Sequence, residues 1–262
     1  MTEQTPRKLT KGERTRASIL DSATELFSKS GFHAVSLRDI AAHAGLTHAG
    51  LLHHFPGKES LLIKVLGRRD RVDARLLFEP GVRDRPEKLL GIIVGIVWRN
   101  MQTPGLVGLY VKISGEAADP EHPAHDYFVQ RYRVLRERLT QALTALFAQA
   151  DPPLAHDPAL VASQLLGLMD GLQTQWLLEP EAVDMHASVV AFLRQLGLTI
   201  DFPSPEDVVP GADVVPGVDA VPGADAVPGA DAVPRPDAVP RPDAVPSADA
   251  VSSGDSPTQA EP

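Results

Sequence analysis

Residues 36–55 constrain the fold of this chain more than any other stretch. They read Ser-Leu-Arg-Asp-Ile-Ala-Ala-His-Ala-Gly-Leu-Thr-His-Ala-Gly-Leu-Leu-His-His-Phe. Ser36 followed three residues later by Asp39 is a variant of the capping box that begins a helix, and apolar residues then recur at helical spacing. Gly45 can take the left-handed conformation that ends a helix, and Thr47 is placed to cap a second one. The stretch therefore predicts two short helices joined by a tight turn, a helix-turn-helix.

A helix-turn-helix of this kind offers its second helix to the DNA major groove, N-terminal residues first. Residues 36–44, the turn Gly45-Leu46-Thr47, and residues 51–62 (Leu-Leu-His-His-Phe-Pro-Gly-Lys-Glu-Ser-Leu-Leu) resemble the DNA-binding domain of the TetR family of prokaryotic transcriptional regulators. The resemblance covers roughly residues 12–73 and extends into both flanking helices. It implies an all-α regulator that binds double-stranded DNA at a near-palindromic operator.

The resemblance also implies which residues meet DNA. Arg38 occupies a position where an arginine often reads a base or holds a phosphate, and Lys58 matches a lysine that grips phosphate. The family usually has an aromatic residue, most often tyrosine, at the position of Leu52, and His53 is the nearest substitute here. The expected DNA-binding residues are Ser36, Leu37, Arg38, Thr47, His48, Ala49, Gly50, Leu52, His53, His54 and Lys58, while Leu37, Ile40, Leu46, Leu51 and Phe55 are expected to serve the core.

Charge is unevenly distributed along the chain. The 262 residues carry 25 Lys and Arg against 34 Asp and Glu, which taken whole argues against a nucleic-acid partner. Residues 1–75, however, hold 13 basic and 8 acidic side chains, so positive charge gathers at the helix-turn-helix. The absence of cysteine excludes a disulfide scaffold and suits the cytoplasm, and the longest apolar run is too short to span a membrane.

Helical signals continue beyond the helix-turn-helix, with proline or glycine at nearly every join. We expect an all-α fold of about nine helices, with helices near residues 87–102, 106–118, 125–150, 157–178 and 181–198 following those of the N-terminal part. The expected divisions are a flexible basic arm at 1–11, a DNA-binding domain at 12–73, a regulatory domain at 74–201 that binds an effector and dimerises, and a tail at 202–262.

The last two predicted helices have broad apolar faces, which in the family pair with their copies to form a homodimer. The apolar residues on these helices are Leu165, Leu166, Leu168, Met169, Leu172, Trp176, Leu177, Val183, Val189, Val190, Phe192, Leu193 and Leu196. A mostly apolar effector pocket with a few polar anchors is also expected in the regulatory domain. Its candidate lining residues are Trp98, Met101, Tyr110, Met169, Gln173 and Trp176, although residues of these types are more often part of an ordinary core.

The tail repeats every six residues. Proline recurs at 210, 216, 222, 228, 234, 240 and 246, with Asp three residues after each. This composition forbids helix and leaves little to bury, so the tail is expected to be disordered. One interpretation is an acidic brush that limits unproductive DNA contact or recruits a partner, and the favoured one is a spacer under little constraint.

Two clusters invite a metal interpretation. His43, His48, His53 and His54 lie close in sequence but point in different directions around a helix, and the acids and histidines of residues 116–126 match no fixed metal spacing. We therefore expect neither a metal nor another cofactor. The sequence favours a homodimeric repressor released from DNA by a small molecule, ahead of a constitutive or architectural DNA-binding regulator and far ahead of a small metal-dependent enzyme centred on residues 116–126.

Overall fold

The computed structural model describes residues 10–202, so the predicted basic arm up to residue 9 and the predicted repeat tail from residue 203 lie outside the described residues. Between these limits the chain forms ten helices and no strand, which confirms the predicted all-α fold. Nine helices were expected, and the additional one is a single turn at Pro80–Arg83. The helices are α1 (Lys11–Ser30), α2 (Leu37–His43), α3 (His48–His54), α4 (Lys58–Leu77), α5 (Pro80–Arg83), α6 (Pro86–Met101), α7 (Pro104–Glu116), α8 (His125–Gln149), α9 (Pro158–Leu178) and α10 (Met185–Gln195).

Helix α1 begins earlier than its apolar stripe indicates. The Thr10 hydroxyl accepts a hydrogen bond from the Glu13 amide at 3.2 Å, and the Glu13 carboxylate accepts one from the Thr10 amide at 2.7 Å. This reciprocal capping box satisfies two amides that would otherwise lack partners at the helix start. Lys11, which the sequence placed in the flexible arm, is therefore the first residue of a helix.

The two short helices of the predicted helix-turn-helix have the expected caps. The Ser36 hydroxyl accepts from the Asp39 amide at 3.2 Å, and the Asp39 carboxylate accepts from the Ser36 amide at 2.9 Å. The Ser36 hydroxyl also donates to the Asp39 carboxylate at 2.6 Å, and this hydrogen bond together with the one from the Ser36 amide holds the pKa of Asp39 below its usual value. Gly45 has a φ of 68°, the left-handed conformation that the turn requires, and the Thr47 hydroxyl accepts from the Gly50 amide at 3.0 Å.

Buried side chains form two apolar clusters, and α4 belongs to both. The first cluster joins α1 to α4 with α7 and the start of α8, and Phe27, Ile40, Leu51 and Phe55 are almost fully buried in it. The second joins the end of α4 to the helices from α5 to α10. Helix α4 contributes Leu61, Leu62, Val65 and Leu66 to the first cluster and Leu77 to the second, so it connects the helix-turn-helix to the larger helical body.

Most of the apolar residues that were interpreted as a dimer face on α9 and α10 lie in the second cluster instead. Helix α9 packs on α7, α8 and α10, and α10 packs on α6 and α9, so these residues fill the core of one protomer. An apolar stripe does not distinguish an internal partner from an external one, which explains the error. The buried members are Leu165, Leu166, Leu172, Trp176, Val189, Val190 and Leu193.

The face of α9 that points away from the protomer is a different set of residues. Leu160 and Leu178 are 62% and 77% exposed at its two ends, and small residues lie between them. A Cβ atom at Gly167 or Gly171 would meet no described residue within 4 Å. Across residues 10–202, no helix combines the length and hydropathy needed to cross a membrane.

Candidate nucleic-acid interface

Helix α3 presents one face to solvent and anchors the other. Thr47, His48 and Ala49 are exposed at its N-terminal end, and further along the same helix Leu52 and His53 are exposed. Leu51 and the adjoining Phe55 are buried in the first cluster. Gly50 and His54 are half-buried. The structure therefore brings the predicted leading edge of α3 together on a single open surface.

Helix α2 adds a charged residue to the same part of the molecule. Arg38 is exposed, and no hydrogen bond or ion pair to its guanidinium occurs among the described residues. Ser36 is exposed as the cap of α2. Leu37 is half-buried and packs against the first cluster, which agrees with the core role also expected of it.

Lys58 is engaged with the main chain of the loop between α1 and α2. Its ammonium group donates to the carbonyl oxygens of Phe32, His33 and Val35, at 3.0, 3.4 and 3.1 Å. The same nitrogen lies 4.4 Å from the centroid of the Phe32 ring, within cation–π range. The predicted phosphate contact stays a prediction, and the structure adds a bracing role, since an ammonium has three protons to donate.

Arg16 is a positioning residue that the sequence analysis missed. Its guanidinium donates to the carbonyl oxygen of His54 at 3.0 Å and lies 4.3 Å from the centroid of the Phe55 ring. Arg16 thus ties α1 to the C-terminal end of α3, where a helix carries partial negative charge. The available signal was helical spacing, because Arg16 precedes buried Ile19 by three residues on the same stripe.

His43 is fixed at the end of α2 rather than offered to a ligand. One ring nitrogen lies 3.0 Å from the Ser22 hydroxyl, and the other lies 3.7 Å from a carboxylate oxygen of Glu25. Both partners belong to α1. His43 therefore helps to dock α2 against α1.

A polar cluster, which we call the α4 clamp, joins α4 to α6 and α8. The Arg131 guanidinium on α8 donates to the Asp70 carboxylate at 2.9 Å, and the Tyr127 hydroxyl donates to the same oxygen. Arg99 on α6 pairs with Asp73 on α4. The members of the clamp are Arg69, Asp70, Asp73, Arg99, Asn100, Tyr110, Tyr127 and Arg131.

Tyr110 lies at the centre of the α4 clamp. The guanidinium carbons of Arg69 and Arg131 lie 4.6 and 4.9 Å from the centroid of its ring. Burial raises the pKa of Tyr110 to about 12, and burial also raises the pKa of Asp73 above its usual value. Charged side chains that are this deeply buried are stable only when they are paired, as Arg131 is with Asp70 and Arg99 is with Asp73. Since each pair joins two helices, the clamp fixes the position of α4 relative to α6 and α8.

The predicted effector pocket is only partly assembled. Met169 and Gln173 line a narrow gap between α6, α9 and α10, and this gap has no room for a water molecule. Tyr110 belongs to the α4 clamp instead, and Met101 and Trp176 pack within the second cluster. Trp98 is half-buried on α6 outside the lining of the gap. The complete lining is Val97, Asn100, Met169, Leu172, Gln173, Met185 and Val189.

Acids and histidines of residues 116–126 are bonded locally. Glu116 lies 3.0 Å from a ring nitrogen of His33 and 3.6 Å from one of His122, while Asp119 accepts from the Glu121 amide at 3.0 Å. His125 contacts the carbonyl oxygen of Ala117 at 2.9 Å. In the part of the chain that the structure describes, no three His, Cys, Asp or Glu side chains are arranged to hold a metal ion.

Two family models match the two parts of this molecule. The model for bacterial regulatory proteins of the tetR family matches residues 19–65, which run from α1 into α4. The model for the C-terminal part of BetI-type transcriptional repressors matches residues 87–197, which run from α6 to the end of α10.

Curated relatives match over different lengths. The HTH-type transcriptional regulator RutR of Escherichia coli (strain K12) is 44% identical over 63 residues, and the match covers 22% of this chain and 30% of RutR. The HTH-type transcriptional regulator AcrR of Shigella flexneri is 25% identical over 198 residues, which cover 71% of this chain and 90% of AcrR. The chain thus spans less than a third of RutR and most of AcrR.

Solved structures share the fold at low identity. The structure of a SmeT–triclosan complex has a TM-score of 0.60 and 20% sequence identity, and the match covers 73% of this chain and 99% of SmeT. The capped helix-turn-helix, the all-α body behind it and the two family models agree. The chain belongs to the TetR family of bacterial regulatory proteins.

Proposed function

We propose that this chain is a sequence-specific DNA-binding regulator that acts as a homodimeric repressor and is released from its operator by a small molecule. The observation that carries the proposal is the exposed leading edge of α3, from Thr47 to Ala49, held on a buried base of Leu51 and Phe55. A helix presented in this way can enter the major groove with its N-terminal residues against the base edges.

Base recognition is assigned to α2 and α3. The Arg38 guanidinium can donate two hydrogen bonds to O6 and N7 of guanine. The His48 ring can donate a hydrogen bond to a base, and Ala49 can pack on a thymine methyl group. Gly50 permits close approach of the helix backbone. Phosphate contacts fall to the remaining polar residues of this surface, which are Ser36, Thr47, His53, His54 and Lys58, with Leu37 and Leu52 in apolar contact beside them.

Dimerisation is assigned to the outward face of α9. Exposed Leu160 and Leu178, with Gly167 and Gly171 between them, form a surface that a second copy can approach closely, because none of residues 10–202 comes within 4 Å of a Cβ atom at either glycine. Large exposed apolar side chains on one face are typical of an interaction surface. Two copies would place their α3 helices about 34 Å apart, in successive major grooves.

Effector release is assigned to the helical body behind α4. The α4 clamp joins α4 to α6 and α8, and α4 begins directly after α3 and its turn, so a ligand that shifts α6 or α8 would also shift α3. The SmeT–triclosan complex supports small-molecule binding within this fold, and similarity to the HTH-type transcriptional repressor KstR of Mycolicibacterium smegmatis, 35% identical over 88 residues, supports repression.

Selection of bound duplexes from a random pool tests the proposal. Wild-type protein should enrich a near-palindromic site, and Arg38→Ala should lose about 1–3 kcal/mol of discrimination at one base position in each half-site. Arg136→Ala serves as the matched control, because Arg136 is an exposed arginine on α8. Enrichment of no sequence by wild-type protein, or equal effects of the two substitutions, would overturn the proposal.

The closed state of the gap between α6, α9 and α10 favours a second candidate, a constitutive regulator that responds to no effector. The two candidates differ in whether a small molecule binds the folded protein and changes its affinity for DNA. A compound that binds the folded protein raises its melting temperature, by an amount set by its concentration and affinity. A panel of metabolites that leaves both the melting temperature and the operator affinity unchanged would favour the constitutive regulator.

A further inference from the structure

We infer that the gap between α6, α9 and α10 is a binding site for an uncharged, mostly apolar small molecule that carries one hydrogen-bond donor, with the Gln173 amide oxygen as its acceptor. This inference rests on the proposed function, since it names the chemical class of the effector.

Gln173 is the polar group that points to a ligand. It is 6% exposed, and its amide oxygen has no hydrogen-bond partner within the part of the chain that the structure describes. Buried polar side-chain atoms almost always have a partner, because leaving one unpaired forfeits its hydration without replacement. Gln173 also lines the gap. A ligand O–H or N–H placed in the gap would supply the missing donor.

The remaining walls of the gap define the rest of the ligand. Val97, Leu172 and Val189 are aliphatic, and Met169 and Met185 are thioethers. None of the lining side chains carries a charge, so an ionic ligand would lose its hydration without gaining a counter-charge. As it stands the gap has no room even for a water molecule, so its lining side chains must separate before a ligand can enter. Entry requires the two methionines to move, and their unbranched side chains adapt readily.

The ring of Tyr110 is a less suitable ligand site. The guanidinium groups of Arg69 and Arg131 already contact it, and a cationic ligand placed there would meet two like charges. The geometry therefore directs the ligand to the gap rather than to the centre of the α4 clamp.

Asn100 connects the gap to α4. It lines the gap, and its amide oxygen accepts a hydrogen bond from the Arg69 guanidinium at 3.0 Å. A second nitrogen of the same guanidinium is buried and finds no hydrogen-bond partner among residues 10–202. Asn100 is consequently the group through which an occupant of the gap would disturb the hold on α4, and with it the position of α3.

Matched probes test the class of ligand on the full-length protein. Indole and 4-propylphenol carry a donor, 1-methylindole and 4-propylanisole have nearly the same shape without one, and phenyltrimethylammonium carries a charge. Calorimetric titration should show each donor probe binding about tenfold or more tightly than its matched partner, the fold-change expected from one hydrogen bond to a buried acceptor. Phenyltrimethylammonium should not bind.

Gln173→Leu should remove the preference for donor probes. The variant should also fold at least as well as wild type, because leucine leaves no unpaired oxygen. Gln149→Leu, at an exposed position in the last turn of α8, is the matched control and should retain the preference. The inference is wrong if neither donor probe binds up to about 1 mM, if matched probes bind equally, or if the preference survives in Gln173→Leu.

Arg69→Met separates binding from its consequence, because Arg69 donates from α4 to Asn100 but does not line the gap. This variant should still bind indole, but indole should no longer change its affinity for the selected operator. Operator binding without any probe is measured alongside. Failure of wild-type protein to bind an operator would contradict the proposed function without affecting the probe preferences. Operator binding by a protein that shows no probe preference would contradict only the inference. Loss of operator affinity on adding indole to Arg69→Met, equal to the loss in wild type, overturns the role of the contact between Asn100 and Arg69.

Discussion

The ammonium nitrogen of Lys58 lies 3.0 Å from the carbonyl oxygen of Phe32 and 3.1 Å from that of Val35. Lys58 begins α4, and the two carbonyls belong to the loop that precedes α2, so one side chain fixes the spacing of both helices. Lys58→Ala should lower the free energy of unfolding by about 1–3 kcal/mol, the cost of leaving such acceptors unpaired. Urea denaturation measures this loss.

The same variant separates bracing from phosphate binding. A brace alone predicts weaker binding to every duplex with an unchanged salt dependence, whereas a lost phosphate contact lowers the slope of log K against log salt by about 1. Lys64→Ala is the control, since Lys64 is exposed on the same helix. If Lys58→Ala unfolds at the same urea concentration as Lys64→Ala, the bracing role is wrong.

The caps of the helix-turn-helix could be predicted from sequence because they are local. Ser36 with Asp39 and Thr47 with Gly50 are each three residues apart, and a short polar side chain at that spacing has few alternatives to capping a helix. The left-handed turn at Gly45 is local as well, because a glycine directly after a helical pattern is the usual residue for that conformation. Local chemistry of this kind located the candidate DNA-binding surface before any tertiary contact was considered.

The α4 clamp could not be predicted in the same way. Asp70 and Arg131 are 61 residues apart, and either residue alone looks like an ordinary helix charge. Their pairing depends on how α4 and α8 cross, which no periodicity specifies. The same limit explains why residues such as Leu165 and Val189 were assigned to a dimer face. An apolar stripe shows that a helix face is buried, but it does not show whether the same protomer or a second copy buries it.

Gly167 provides a test of the dimer. Gly167→Arg should weaken dimerisation by about 100-fold or more, since a long charged side chain would separate the outward faces of two α9 helices. Analytical ultracentrifugation across a range of concentrations measures the effect. Gly115→Arg is the control, because Gly115 is exposed on α7 and also has nothing within 4 Å of its Cβ position. Equal dimerisation of the two variants would rule out this face of α9.

Gly105 and Gly108 form a matched pair that tests how α7 docks against α1. A Cβ atom at Gly105 would lie 3.0 Å from the carbonyl oxygen of Ser28, whereas one at Gly108 would make only an ordinary contact at 3.9 Å with Leu177. Gly108→Ala should therefore gain about 0.5–1 kcal/mol from reduced backbone entropy. Gly105→Ala should instead lose about 1–3 kcal/mol through crowding, despite the same helix preference.

Thermal denaturation distinguishes the two alanine variants by the sign of the change. Gly105→Ala should also alter operator affinity, because α1 carries Arg16, which holds the end of α3. A melting temperature that rises in both variants would mean that α1 and α7 are not in close contact. Unchanged operator affinity in a destabilised Gly105→Ala would limit the contact to a structural role.

Ionisation of Asp170 should make the stability of the folded protein depend on pH. The Tyr132 hydroxyl donates to its carboxylate at 2.6 Å, and burial raises the pKa of Asp170 above its usual value despite that hydrogen bond and the nearby charges of Arg131 and Arg69. A carboxyl group with a raised folded pKa contributes stability below its unfolded pKa of about 4, and loses that contribution as the pH rises through the folded value. Ionisation at neutral pH therefore costs stability in the wild-type protein.

Asp170→Asn keeps an acceptor oxygen for Tyr132 and removes the ionisation. The variant should match wild type near pH 4 and become progressively more stable than wild type as the pH rises to about 7. Melting temperatures across this range measure the difference, with Glu137→Gln on the exposed face of α8 as the control that should show no such trend. A variant that is less stable than wild type at pH 7 and equal at pH 4 would mean that Arg131 and Arg69 hold the carboxylate ionised, which reverses the sign of its pKa shift.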